Sequence, residues 1–465
     1  MYKKKAHIHF VGIGGIGMSG IAQILKSQGY KISGCDADLQ QKSIHELKSI
    51  GCAIYQGNNT PKCKHKNIDI LVYSSAIHEN NPEIVAAQKR GIPTIPRALM
   101  LAELMRTKYS IAIAGSHGKT TTTSLISHIL IEAGIDPTVI IGGHLKNISN
   151  NARFGNGDFL VAEADESDKS LVHLQATIAV LTNIDLEHLE TYKNLDDVKT
   201  TFKTFLNNLP FYGKAFVCID DKNIQSTLPM PHLKIIKYGL DSTLADIYAK
   251  GISLNPDSST FSVYTKKQIS PLGFITIKMP GEHNIQNCLA AIAVSLDLGV
   301  SFEKIAQALE TFKGIERRFC YMGTYKDAEI FDDYGHHPKE IKNTIKIAKK
   351  RAKKRLIVAF QPHRYTRTHK LWDNFVQTFL STDIDKLIIT DIYPASEIPI
   401  KNVTSTKLVQ EIKKINPDLD IIYAPYDDDL THIKTHIQQY AQKQDLILSL
   451  GAGKITNLAK KLDAL

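Results

Sequence analysis

The segment Ile111-Ala112-Ile113-Ala114-Gly115-Ser116-His117-Gly118-Lys119-Thr120-Thr121-Thr122 joins an apolar run to a Gly-Lys-Thr that opens a helical pattern. Leu125, Ile126, Ile129 and Leu130 continue that pattern with the spacing of one helix face. A strand, a tight turn and a helix in this order form a phosphate-binding device. Small residues let backbone N–H groups approach phosphate oxygens, and the helix start adds positive potential. Lys119 supplies a full charge, and the Thr120 hydroxyl can hold Mg²⁺. Two residues separate Gly115 from Gly118, where the standard loop has four. Gly115, Ser116, His117, Gly118, Lys119, Thr120 and Thr121 are therefore read as an ATP site.

Outward from this turn, short apolar runs alternate with helical patterns, which predicts an α/β chain of mostly parallel open sheets. A length of 465 residues exceeds what one core organises and suggests several domains. The expected divisions are 1–106, 107–320 and 321–465: Rossmann-like, P-loop-type and Rossmann-like again. A hydrophobic content of 43% with 22% charged residues is that of a water-soluble chain, and no apolar run is long enough to span a bilayer. His7, His9 and the glycines at 12, 14, 15 and 17 break the stretch after Lys3-Lys4-Lys5, so export is not expected and a cytoplasmic location is. Six cysteines lie scattered without a C-x-x-C pair, so reduced thiols are expected and a zinc cage is not. The net charge of +10 permits nucleic-acid binding without arguing for it. The densest basic run, Lys349–Arg355, follows a helical pattern beginning at Pro338 and lacks interleaved aromatics, so it reads as a solvated helix end and no nucleic-acid partner is expected.

Strand His7–Val11 precedes Gly12-Ile13-Gly14-Gly15-Ile16-Gly17, a G-x-G-x-x-G turn, and a helix predicted over Ser19–Gln28. Gly14, Gly15, Ile16 and Gly17 are expected to receive a pyrophosphate-bearing nucleotide, with Asp36, at the end of strand Lys31–Cys35, on its ribose. Ser74 and Ser75 end strand Asp69–Tyr73, on the sheet edge where ligands gather. In the middle block, strand Phe159–Ala162 delivers Glu163-Ala164-Asp165-Glu166-Ser167-Asp168, and strand Thr177–Leu181 delivers Thr182-Asn183-Ile184-Asp185-Leu186-Glu187-His188. A hard cation bridging ATP phosphates needs oxygen ligands, which suits Glu163. His188, a softer ligand, suits a second metal position shared with a carboxylate. Asn284 and Asn287 open a helix after Pro280 and either contact the nucleotide or, for Asn284, cap the helix. Arg318 can clamp phosphate or carboxylate. In the last block, Asp332, Asp333 and His336 follow a strand, and strand Leu356–Phe360 yields Arg364 and Arg367 as a substrate clamp. A nicotinamide-dependent dehydrogenase would account for Gly12–Gly17 and Asp36, but would leave the Gly-Lys-Thr turn and the acidic loops unexplained.

Taken in order, these loops resemble the Mur ligase family over essentially the whole chain, from Gly12–Gly20 through Gly115–Thr122, Glu163–Asp168, Asn183–His188, Glu282–Asn287, Glu316–Phe319, Asp332–Pro338 and Gln361–Thr368 to Gly451–Gly453. Within the family, the resemblance is to the enzymes that add L-alanine. It implies ATP-dependent joining of L-alanine to the lactoyl carboxylate of UDP-N-acetylmuramate through an acyl phosphate, in cell-wall peptidoglycan synthesis. The first glycine turn would then take a UDP diphosphate, and Glu166 and Ser167 would face substrate. Thr120, Glu163 and His188 would hold Mg²⁺, while Asn284, Asn287 and Arg318 would touch ATP. Asp332, Arg364 and Arg367 would complete the substrate site, with Lys119 and Arg364 catalytic and His336 or Asp333 taking the ammonium proton. No membrane partner is expected, and the chain would be a monomer or weak homodimer. Sister ligases carry a carbamylated lysine after the metal histidine. Here Phe202 stands at the nearest position with Lys203 beside it, so no carbamate is expected. Lys454 stands where an aspartate is common.

Overall fold

The computed structural model of the chain describes residues 5–57, 67–74, 76–78, 80–145, 150–188, 190–395 and 397–462, with the side chains of 143–150 left aside. Three sheets organise them. The first runs in the spatial order Ala53–Gln56, Lys31–Asp36, His7–Val11, Ile70–Tyr73, Thr94–Pro96, with every pairing parallel. The chain order reverses direction at His7–Val11, which places Gly12–Gly17 at a topological switch point, where open parallel sheets bind ligands. The helix after this turn spans Ile16–Ser27, three residues ahead of the expected Ser19. Gly15 takes the N-cap without a side-chain cap, so the glycine turn itself supplies the free N–H groups of the helix start.

The middle sheet has ten strands. Its parallel centre places Tyr109–Ala114 between Ile178–Leu181 and Phe159–Glu163, so the phosphate turn and both acidic loops leave adjacent strands at one edge. The register pairs Ala114 with Leu181 and Ile113 with Glu163. Strands Ser259–Thr265 and Gly273–Ile277 extend the sheet antiparallel at one side, and Asn150–Arg153 pairs antiparallel with Thr138–Leu145 at the other. The sheet is mixed at its rims and parallel at the site. The third sheet orders Cys320–Tyr325, Ala328–Asp333, Leu446–Leu450, Leu356–Phe360, Lys386–Ile389 and Ile421–Tyr423, and only its first pair is antiparallel.

Helix Pro338–Arg351 ends in the basic run noted above. Lys349 pairs with Asp385 at 2.7 Å, and Arg351 pairs with Glu329 at 2.8 Å and with Asp257 of the middle block, so these cations are held by carboxylates. Among the described residues no helix is long and apolar enough to cross a membrane. The cysteines at 35, 52, 218, 288 and 320 are buried and form no disulfide among the described residues.

Helix Leu195–Asn207 buries Phe202 fully and leaves Lys203 on its exposed face, so an aromatic ring in the core occupies the position expected to differ from the sister ligases. Phe202→Ala is predicted to destabilise the chain by about 3–5 kcal/mol, the cost of emptying a packed aromatic site. Equilibrium denaturant unfolding measures it, and a loss below about 1 kcal/mol contradicts the packing described.

Candidate active site

The phosphate turn is shaped by its neighbours. Gly115 has φ +133°, and a Cβ there would collide with the Thr182 hydroxyl. Gly118 has φ +82°, and a Cβ would stand 2.6 Å from Asn287 Oδ1. Between them, the His117 N–H donates to Asn183 Oδ1 at 2.8 Å, and Asn183 Nδ2 donates to the His117 carbonyl at 2.9 Å. The Thr182 hydroxyl donates to that carbonyl at 2.6 Å. Ser116 Oγ accepts the Asp185 N–H at 2.8 Å and donates to the Asp185 carbonyl at 3.1 Å. The loop after Leu181 thus holds the turn through side chains as well as backbone.

Lys119 Nζ donates to the Gly115 carbonyl at 2.6 Å and to Glu166 Oε1 at 2.7 Å. Burial opposes its charge, but Glu166 and Asp165 outweigh burial and raise the ammonium above its ordinary pKa. Glu166, expected to face substrate, pairs with this lysine. The Thr120 hydroxyl donates to Glu163 Oε2 at 3.3 Å, and Gly142 N–H donates to Glu163 Oε1 at 2.8 Å. Burial pushes the Glu163 carboxyl up, as expected of a carboxylate that a cation would discharge. His188 Nε2 lies 3.6 Å from Glu166 Oε1 and its Nδ1 3.5 Å from Glu190. Ligand atoms of Glu166, Glu187 and His188 fall within 4.8 Å of one another, a set able to hold a cation.

Beside the turn opens a cavity of about 420 Å³ lined by residues of the middle and last blocks, among them Gly118, Thr121, Tyr238, Asn284, Asn287 and Arg318. Asn287 Oδ1 accepts the Thr122 hydroxyl at 3.2 Å, tying the helix Glu282–Asp297 to the phosphate helix. That helix is capped at Gly281 without a side chain, and Asn284 Nδ2 donates to the Pro280 carbonyl at 2.8 Å, so neither asparagine is the N-cap.

The last sheet is closed over this edge. Glu340 Oε1 lies 3.5 Å from His117 Nδ1 and 3.7 Å from Arg318, Lys339 reaches Asp185 at 3.3 Å, and Arg364 reaches Glu190 at 3.9 Å. Arg364 has φ +71°, a strained backbone conformation for a residue with a side chain. Arg367 Nη1 donates to the His363 carbonyl at 3.1 Å. His336 Nδ1 sits 3.1 Å from the Tyr334 carbonyl, and burial holds its pKa well below the ordinary value. The ring is therefore neutral and keeps Nε2 as an acceptor.

Three carboxylates expected at the substrate also make contacts within the protein. Asp333 Oδ2 accepts the Phe319 N–H and Oδ1 the Gly335 N–H, each at 2.8 Å, with the Thr344 hydroxyl at 3.1 Å. Its oxygens build the turn. Asp332 is 1% exposed, and its Oδ2 is bound by the Thr456 hydroxyl at 2.8 Å and Arg317 at 3.4 Å. Asp36 Oδ2 accepts the Gly14 N–H at 2.8 Å and Oδ1 takes Gln41 Nε2 at 3.3 Å, so it braces the glycine turn. Gly15, Ile16 and Gly17 stand at that helix start, and the Ser74 N–H continues the sheet to Val11 at 3.2 Å. Ser75 lies outside the described residues. The Ser167 N–H donates to Asp165 at 3.0 Å.

Arg97, Asn151 and Glu340 were not singled out from sequence. Arg97 pairs with Asp165 at 3.0 Å while lying against Gly17, and Asn151 Nδ2 donates to the Ile16 carbonyl at 2.5 Å, so both join the glycine turn to the middle sheet. The one available signal was Glu340 at capping-box spacing from His337, a box the structure contains. Lys454 pairs with Asp428 at 3.1 Å, away from the site.

Burial alone would lower the His117 pKa, but Glu187, Asp185 and Glu340 outweigh it and push it up from 6.5 to about 10. Because the folded value exceeds the unfolded one, the stabilisation is full below pH 6.5 and is lost as pH rises toward about 10. The stability gap between the chain and His117→Gln is predicted to shrink across this window in denaturant unfolding at fixed ionic strength. A gap that widens contradicts the assignment.

Comparison with known proteins agrees with this arrangement. Family models match residues 7–109 (Mur ligase family, catalytic domain), 113–295 (Mur ligase middle domain) and 317–453 (Mur ligase, glutamate ligase domain). The chain is 48% identical over 463 residues to UDP-N-acetylmuramate–L-alanine ligase of Geotalea uraniireducens, covering 99% of this chain and 98% of the relative. It is 46% identical over 457 residues to the ligase of the same name from Geobacter sulfurreducens, covering 98% and 96%. Among solved structures it is similar to UDP-N-acetylmuramate–alanine ligase of Thermotoga maritima, with a TM-score of 0.80, 25% identity and 98% of each chain covered. A murein peptide ligase of Psychrobacter arcticus aligns with a TM-score of 0.72 and 25% identity over 98% of each chain. With all three regions matched in order and relatives this similar over nearly their whole length, the chain belongs to the Mur ligase family.

Proposed function

We propose that the chain joins L-alanine to the lactoyl carboxylate of UDP-N-acetylmuramate at the expense of ATP, releasing ADP and phosphate, in the cytoplasmic stage of peptidoglycan synthesis. The observation that carries this reading is the buried Lys119–Glu166 pair, with its N···O distance of 2.7 Å, on a turn that opens onto a nucleotide-sized cavity. Relatives at 44–48% identity bearing the L-alanine ligase name support the choice of amino acid.

A carboxylate resists amine attack because its leaving group would be an oxide dianion. Transfer of the γ-phosphoryl group to the lactoyl carboxylate replaces that oxide with phosphate. Lys119 supplies positive charge where the transferring group sits, and backbone N–H groups of Gly115–Thr121 orient the phosphates, so positioning and electrostatics do most of the work. Thr120 and Glu163 would hold one Mg²⁺, and His188 with Glu166 a second. When bound, Mg²⁺ neutralises the charge on the phosphate oxygens. Gly14–Gly17 present the helix start to the UDP diphosphate, and Arg97 stands beside them. Arg364 and Arg367 receive the amino-acid carboxylate. The neutral His336 takes the ammonium proton and frees the amine for attack on the acyl phosphate. Closure through Glu340, Lys339 and Arg364 excludes water that would hydrolyse this intermediate. The chain acts as a monomer or weak homodimer.

ATP-dependent phosphate release with UDP-N-acetylmuramate is predicted with L-alanine. It is not predicted with the preformed tripeptide L-alanyl-γ-D-glutamyl-meso-diaminopimelate, and it should fall about a hundredfold or more in Lys119→Ala. Undiminished turnover in that variant, or release driven by tripeptide alone, contradicts the proposal.

A further inference from the structure

The first sheet contains a buried cluster that the ligase reaction does not use. His9 on strand His7–Val11 and Cys35 on strand Lys31–Asp36 are brought to one face by register, because His9 pairs with Ser33 and Cys35 with Val11, two residues on. Helix Pro82–Lys89 covers this face and lays Glu83 against both. His9 and Cys35 are 1% exposed and Glu83 3%, within an apolar layer of Val11, Leu71, Ile84 and Ala87. We propose that His9 Nε2, the Cys35 thiolate and the Glu83 carboxylate bind a soft divalent transition-metal ion, with zinc the best match to this donor set.

The geometry fits the ligand. Around a tetrahedral zinc with bonds of about 2.0–2.3 Å, ligand atoms stand about 3.3–3.8 Å apart. His9 Nε2 lies 3.5 Å from Glu83 Oε2, within this range, and Cys35 Sγ lies 3.0 Å and 3.2 Å from the two Glu83 oxygens, the shorter spacing of a shared proton that a metal would widen by a few tenths of an ångström. All three ligand atoms fall within 4.8 Å of one another. The imidazole is also held as a ligating histidine is held. Its Nδ1 is 2.8 Å from the Ser33 hydroxyl, which is 2.7 Å from His7 Nε2, whose Nδ1 is 2.6 Å from the Asn67 carbonyl. This chain fixes the ring so that Nε2 is the nitrogen turned to Cys35 and Glu83. On binding, the thiol proton now shared with Glu83 is released to solvent and replaced by the sulfur–metal bond. The competing arrangement is a proton between His9 and Glu83, with the thiol intact.

Sequence spacing could not reveal this set, because its members come from two strands and a helix and no C-x-x-C marks it. The site lies directly beneath the glycine turn, since the Cys35 carbonyl accepts the Gly12 N–H at 2.9 Å and the Ile13 N–H at 3.0 Å.

Cobalt(II) tests the proposal on the full chain, with excess Mg²⁺ present to occupy oxygen-ligand positions. One equivalent is expected to produce near-ultraviolet thiolate-to-cobalt charge-transfer absorption, which zinc then abolishes by displacement. Cys35→Ser should remove the absorption, and Glu83→Gln and Ser33→Ala should weaken cobalt affinity by about tenfold or more. Lys119→Ala should leave it unchanged. Should Cys35→Ser not fold, His9→Gln serves in its place. A wild-type chain without this absorption at one equivalent, or absorption that survives Cys35→Ser or His9→Gln, overturns the proposal.

Discussion

The side chain of Asn183 bonds both backbone groups of His117, donating to its carbonyl and accepting its N–H, and the rest of the catalytic edge depends on that clamp. The turn from Gly115 to Lys119 has few internal bonds of its own. Its shape comes from the strand beside it, because Ala114 and Leu181 are in register and the loop after Leu181 meets the loop after Ala114 directly. Thr182 leaves no room for a side chain at Gly115, and Asn287 leaves none at Gly118. The glycines therefore answer to two neighbouring elements as well as to a phosphate.

Closure rests on charge. Across the joint between the middle and last sheets His117 meets Glu340 and Lys339 meets Asp185, while His117 also meets Asp185 and Glu187, and Lys119 meets Glu166, within the middle block. Buried charges cost free energy unless each finds a partner. The His117–Glu340 and Lys339–Asp185 pairs join different sheets, so these partners meet only when the last sheet is seated. His117 sits in the phosphate turn and Glu340 on the closing helix, which makes their pair a direct link between nucleotide handling and closure.

Much of this was legible in the sequence because the reaction uses loops at strand ends, and such loops announce themselves as glycines, carboxylates or arginines after apolar runs. The α/β class and the Gly-Lys-Thr turn needed only local pattern, as did Glu163 beside Thr120. The helix start at Ile16 was missed because the glycine turn itself forms the N-terminus and no side chain caps it. Asp36 and Asp333 were read as facing ligand, since an acid after a strand looks alike whether it meets a substrate or a backbone N–H. Arg97, Asn151 and the His9–Cys35–Glu83 set owe their meaning to contacts 48 to 135 residues apart in the chain, which no spacing rule encodes.

The most direct measurement is a crystal structure with Mg²⁺ and a non-hydrolysable ATP analogue. The account predicts that the terminal phosphorus lies beside Lys119 Nζ, with the Lys119–Glu166 bond exchanged for phosphate and the base in the cavity next to Asn287. A terminal phosphate lodged elsewhere, with Lys119 still on Glu166, would contradict it.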